Sequence, residues 1–249
     1  MGKKIRLRLF AIVLVVITGV SAVRADLHVK QKQTIEAYYE WGAVNPAREQ
    51  GLEYWLGKDR AAIVNARWTA IADFAAGTLT YLGHRTRVYV QTTLPLDPAA
   101  LFDSKALDFI RQSLTTQGTV KPVEETKTIL GRSCLGHVVE TWVNYEGDRL
   151  NERVQTIWTS PEIPVDAALI AKVLHLQYVL SYFADDLIKG YEAIQGFPLL
   201  REMIFFNRGI EIKARVETLV LSEEQPGPAV YAVPAGYMKK AKIETADMQ

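Results

Sequence analysis

The stretch Val138–Trp158, VVETWVNYEGDRLNERVQTIW, decides how the chain is read. β-branched and aromatic residues crowd both of its ends, and the polar triplet Glu146-Gly147-Asp148 lies between them. Such residues fit a pleated, half-buried surface, and a glycine-centred polar break between two such runs is a hairpin turn. The pattern predicts an antiparallel strand pair here.

Working outward, a further strand is expected at Val123–Leu130, set off by Gly131. Alternating runs at Leu27–Ala37, Leu52–Leu56, Arg60–Asn65, Phe74–Thr80 and Thr86–Thr92 predict an N-terminal set of strands, with Tyr38–Gln50 as a loop. Leu199–Asn207 and Ile210–Leu221 form a C-terminal pair turning at Asn207-Arg208-Gly209, and Tyr231 and Val233 suggest a short edge strand before a frayed lysine-rich tail. Two blocks have helical spacing instead. Pro98–Thr116 follows Asp97, a sound N-cap with proline in the first turn. Val165–Ile194 carries Leu169, Val173, Leu176, Leu180, Phe183 and Leu187 at steps of three and four, one apolar stripe. The order strands, helix, strands, helix, strands predicts an α+β fold: one curved, mainly antiparallel sheet with helices at about 98–116 and 165–194 packed on its concave face.

The N-terminus reads separately. Lys3, Lys4, Arg6 and Arg8 precede the 12-residue apolar run Leu9–Val20, and Val23 and Ala25 are small residues placed to suit a signal peptidase. The run is shorter than the ~20 residues of a spanning helix. Residues 1–25 are therefore expected to be a cleaved leader, 26–249 a single domain, and the location periplasmic, with no transmembrane segment in the mature chain. Loss of five of the 29 basic residues and no acidic one leaves 24 against 28, a net charge of −4. That balance argues against nucleic acid, which needs a basic face. Cys134 is the one cysteine, so no internal disulfide forms; it reads as a small buried apolar residue.

Little in the sequence points to catalysis. His28, His84, His137 and His175 stand apart, without metal-ligand spacing, so no metal and no cofactor is expected. Gly131-Arg132-Ser133-Cys134-Leu135-Gly136 is one residue too long for a nucleophile elbow and reads as a turn between strands. Asp185 and Asp186 point about 100° apart on a helix and read as solvated charges. The aromatic residues on predicted strands, Tyr54, Trp142 and Trp158 among them, have two readings: ordinary core filling, or the wall of a wide apolar cleft.

Five segments together resemble a known family: Tyr54-Trp55-Leu56-Gly57-Lys58-Asp59-Arg60, Val123–Thr128 leading into Ile129-Leu130-Gly131, Trp158-Thr159-Ser160-Pro161-Glu162-Ile163, Gly196-Phe197-Pro198 and Tyr231-Ala232-Val233-Pro234-Ala235-Gly236-Tyr237. They look like the uncharacterised exported domains related to the LolA/LolB-like lipoprotein carriers. The resemblance implies an unclosed antiparallel β-barrel around an apolar cavity plugged by helices, and no catalytic residues. The function expected is a non-enzymatic binding protein that holds an apolar ligand, a lipid or the acyl chain of an acylated protein. Leu169, Val173, Leu176, Leu180, Phe183, Leu187, Tyr54, Trp142 and Trp158 are the expected ligand-binding residues. An envelope-stress or regulatory module that binds a protein partner is the alternative, and a hydrolase the third; oligomeric state is not legible.

Overall fold

A computed structural model describes residues 25–145, 148–207 and 209–247. The leader reading of residues 1–24 lies outside the described residues, as do Glu146, Gly147 and Arg208 of the two expected turns.

The chain is α+β and dominated by one large, unclosed sheet. Its N-terminal strands are β1 (Asp26–Ile35), β4 (Arg48–Leu56), β5 (Arg60–Asn65), β6 (Trp68–Asp73), β7 (Thr78–Gly83) and β8 (Val88–Thr93). Between β1 and β4, β2 (Tyr38–Glu40) and β3 (Ala43–Asn45) form a separate hairpin. The second block is β9 (Thr116–Ile129), β10 (Arg132–Tyr145) and β11 (Asp148–Ser160), and β12 (Phe197–Asn207), β13 (Ile210–Glu224) and β14 (Met238–Lys239) follow. The 12-stranded order is β14-β8-β7-β6-β5-β4-β1-β13-β12-β11-β10-β9. Every pairing is antiparallel except β14 with β8. The first strand thus sits in the middle, with Val29 opposite Tyr54 on one side and Leu221 on the other.

Four helices replace the two expected. The first block divides into α1 (Pro98–Leu101) and α2 (Ser104–Ser113). Asp97 caps α1 as expected, accepting from the Ala99 amide at 2.8 Å, but Asp103 starts a second helix by accepting from Ala106 at 2.7 Å. The second block divides into α3 (Ala167–Leu180) and α4 (Asp185–Glu192). There Tyr182 adopts φ +60, and the start of β9 takes hold of the linker: Thr116 N donates to Tyr182 O at 2.9 Å and Ala184 N to Thr116 O at 2.8 Å. Asp185 and Asp186 then occupy the first turn of α4, where the helix dipole favours negative charge.

Three other expectations change. The 38–50 loop contains the β2–β3 hairpin, whose turn residues Trp41 (φ +54) and Gly42 (φ +79) suit the right-handed twist of the strands; Tyr39 and Trp41 are 65% and 78% exposed. Tyr231 and Val233 lie in a loop instead of a strand, with the Tyr231 hydroxyl donating to Asp26 at 2.6 Å. The tail is docked instead of frayed: β14 lies along β8, Ile243 is buried, and its backbone bonds to Leu101 and Asp103 at the α1–α2 junction. Among the described residues no helix is long and apolar enough to cross a membrane.

Candidate functional site

The long strands and the helix pairs do not match in length. β13 has 15 residues and β10 has 14. At about 3.3 Å per residue a 15-residue strand runs about 50 Å. The 14 residues of α3 span about 21 Å at 1.5 Å per residue. The helix therefore covers only part of the surface the long strands present. The remainder borders a cavity of about 660 Å³ between β1, β10–β13 and the C-terminal ends of α2 and α3 with α4. That volume falls within the range of small-molecule sites.

Strand alternation decides which side chains reach it. On β11, Arg153 and Gln155 face in; on β12, Arg201, Met203 and Phe205; on β10, Thr141 and Val143. The register sets Arg153 opposite Phe205, Gln155 opposite Met203 and Ile157 opposite Arg201. Ile35, Ile212 and Val216 add apolar surface from β1 and β13. The helices contribute Gln177, Tyr178, Ser181, Tyr182, Phe183 and Tyr191. Tyr178, Phe183 and Tyr191 pack on one another with centroids 4.5–5.7 Å apart and make an aromatic wall. Burial raises the phenol pKa of Tyr178, and pushes those of Tyr182 and Tyr191 up to about 12, so all three hydroxyls stay neutral. Gln155 Nε2 donates to the Tyr191 hydroxyl, and the Tyr54 hydroxyl donates to Gln177 Oε1 at 3.0 Å, so sheet and helices are hydrogen-bonded through the buried interior. The site combines an apolar wall with amides, phenols, a carboxylate at the rim (Glu152) and three guanidinium groups, those of Arg48, Arg153 and Arg201.

Of the nine residues expected to bind ligand, Phe183 alone lines this cavity. Leu169, Val173, Leu176 and Leu180 on α3 and Leu187 on α4 belong to the buried core. Ile170, Leu174 and Tyr178 are buried as well, so α3 is enclosed around most of its circumference instead of along one stripe. Tyr54 is fully buried one layer behind the cavity, edge-on to Phe197 at 5.1 Å. Trp142 lies between inward-facing Thr141 and Val143 and points to the opposite face, under Arg149 at 3.9 Å. Trp158 likewise faces away from the cavity. Its ring lies over Gly136, where a Cβ would meet it at 2.8 Å, Lys127 sits 4.3 Å from its centre, and Nε1 donates to Glu202 at 3.2 Å. The sequence offered no more than the odd-numbered alternation of Arg153-Val154-Gln155 as a sign that these polar residues turn inward.

The other motifs are structural. Leu130 and Gly131, both at positive φ, make the two-residue turn from β9 to β10, with Ser133 on the returning strand. Cys134 is fully buried, and burial raises its thiol pKa. Among the described residues no three His, Cys, Asp or Glu side chains gather as they would around a metal ion. No family model matches the chain, and no curated protein matches it.

Proposed function

We propose that the protein is a non-enzymatic carrier that holds the apolar chain of a lipid or acylated molecule in the cavity between β10–β13 and the α3–α4 pair. The observation that supports it is a ligand-sized cleft on the inner side of the long strands, walled by Tyr178, Phe183, Met203, Phe205 and Val216. Its volume of about 660 Å³ is that of a small-molecule site, and such clefts join apolar walls to a few polar groups as this one does. In this reading the sheet is a half-barrel with the helices across its concave side, as in the lipoprotein carriers its motifs resemble. The enclosed stripe of α3 is then fixed core, and the moving or shared parts are the α3–α4 linker and Phe183. The same proposal places the work in the periplasm after removal of residues 1–25; N-terminal sequencing of the cellular protein checks this, with Asp26 expected first.

Native mass spectrometry of protein purified without detergent tests the carrier reading. A retained lipid-sized mass is expected, together with micromolar uptake of a neutral apolar fluorophore such as N-phenyl-1-naphthylamine. Ile212→Trp, which fills the cavity from β13, should abolish both while the melting temperature stays within a few degrees. A bare chain that also refuses the fluorophore would overturn the proposal.

A further inference from the structure

Three arginines and one acid line the cavity: Arg48 and Glu152 are exposed at its edge, with Arg48 donating to the Tyr38 hydroxyl, while Arg153 and Arg201 sit deeper and are half-buried. Arg153 and Arg201 lie on neighbouring strands and turn the same way, yet none of the ion pairs among the described residues involves either one. The Nε of each is buried and donates to no protein acceptor. Glu152, the acid of the lining, is exposed and makes no ion pair with either arginine, and the Glu192 carboxylate on α4 is bound by His175 Nδ1 at 2.8 Å. What surrounds the guanidinium groups is aromatic and neutral. Arg153 stacks on Phe205 with 4.3 Å from Cζ to the ring centre, and the hydroxyl of Tyr191 stands in the field of both arginines.

Along the strands the two Cα atoms are offset by four residues, about 13 Å, and both side chains line the same cavity; loss of water holds the Arg153 guanidinium below its usual pKa, with Tyr191 opposing and Arg201 adding to the shift. Two like charges placed together in a poorly solvated space are costly unless something compensates them. The outer face of the same strands shows how this chain treats charge when no ligand is involved. There Glu202 takes Lys127 at 2.9 Å and Arg215 at 3.2 Å, and Lys32 takes Glu217 at 3.6 Å. Lys127, Arg215 and Lys32 each have an acid, whereas Arg153 and Arg201 have none.

We infer that Arg153 and Arg201 form an oxyanion clamp, and that the ligand is an amphiphile whose carboxylate or phosphate head lies between them while its tail runs past Phe205, Ile212 and Ile35 to the mouth of the cavity. A guanidinium presents a planar fork of N–H donors that matches either oxyanion in two-bond fashion, and such charge-assisted bonds are the strong ones. The clamp rests on the carrier reading above and adds to it the charge and the placement of the head group.

Displacement of N-phenyl-1-naphthylamine, which carries no anion, separates the two. Palmitate or 1-palmitoyl-glycerol-3-phosphate should displace the fluorophore at concentrations at least tenfold below those of hexadecanol or monopalmitoylglycerol. Arg153→Met and Arg201→Met keep the aliphatic stem and remove the charge; each should reduce that preference at least tenfold, read within each variant as the ratio of charged to neutral displacement so that a change in fluorophore affinity cancels. Without ligand both variants should melt higher than the wild type, because an uncompensated charge has gone. Arg201→Lys, which keeps the charge but not the fork, should retain part of the preference. The better of palmitate and the lysophosphatidate names the head group. Equal displacement by charged and neutral amphiphiles in the wild type overturns the clamp and leaves the carrier reading standing. Failure of the fluorophore to bind at all overturns both. Inorganic phosphate competing as well as the lysophosphatidate would make this a site for the free anion, and the amphiphile would be withdrawn.

Discussion

Strands β5 to β8 and strands β9 to β13 solve opposite problems with one sheet. The first set has strands of six residues each, and the inner positions of β5 and β6 include Ala61, Ala70 and Ala72, all but fully buried. Alanines let helices approach closely, and Leu79, Val88, Val90 and Leu101 fill what remains. The second set has strands of 11 to 15 residues whose inner positions carry Thr141, Arg153, Gln155 and Arg201. One region is closed by small side chains and short spans; the other is held open by spans longer than the helix above them and by polar groups that resist collapse. Packing and vacancy here are set by strand length and side-chain size together.

Substitutions that remove volume should separate the regions most widely. Leu79→Ala, in the closed set, should cost about 2–5 kcal/mol of unfolding free energy, because its packed neighbours cannot relax into the space. Met203→Ala, beside an existing cavity, should cost under about 2 kcal/mol. Urea titration of both measures the contrast, and equal losses would break it. A backbone test comes next. Gly196 opens β12 with φ +89, and a Cβ there would lie 2.3 Å from Ser160 O. Gly196→Ala should cost about 2–4 kcal/mol through strain and displacement of β11. An intact cavity-binding signal alongside that loss would show that the open region tolerates the shift.

Acid should act on both regions through histidine. Burial lowers the pKa of His84 between β7 and β8 and of His137 on β10. A folded pKa below the unfolded value means that stability is complete above about pH 6.5 and is lost as pH falls through the folded pKa. His84 is held by Thr69 at 3.0 Å and Tyr237 at 2.7 Å. Melting temperature should fall between pH 7.5 and 5.5, and His84→Gln should flatten that slope. The smallest effect is expected on the outer ladder. Burial would raise the pKa of Glu202, but hydrogen bonds from Lys127 and Trp158 outweigh it and the net shift is downward. Its contribution is therefore present above the ordinary carboxylate pKa and lost on acidification below it. Because the group is more than a third exposed, Glu202→Gln should cost only about 0–1 kcal/mol near neutral pH, less in high salt, as a denaturation series at two ionic strengths would show.

Much of the sheet was legible because its signals are local, but β6 (Trp68–Asp73) was not anticipated and the strand expected at Phe74–Thr80 begins only at Thr78, after a turn. Alternation and turn residues marked the β10–β11 and β12–β13 hairpins, and Asp97-Pro98 marked the start of α1. The helix breaks were not, because each is made by a distant segment: Thr116 holds the α3–α4 linker and Ile243 the α1–α2 junction. The docked tail was missed for the same reason, since Ile243 is a single apolar residue among lysines whose partner lies more than 100 residues earlier. The lining of the cavity was the least legible part. The apolar α3 residues that read as a binding stripe lie in the buried core, while arginines and glutamines, ordinarily surface residues, line the cavity.

The position of β1 has a consequence for how the molecule comes into being. Its partners are β4, close behind it, and β13, whose Glu224 stands opposite Asp26. A chain delivered N-terminus first can form the β1–β4 ladder early, but the other edge of β1 waits until nearly all of the sequence has emerged. Until then Leu27 and Val29 sit on an open edge, the kind of template on which strands of other chains add. So wide a sequence separation between neighbours makes this ladder costly to close, because loop entropy is lost before its contacts form. The nascent chain therefore passes through a long half-sheet stage in which the eventual centre of the structure is its most vulnerable border.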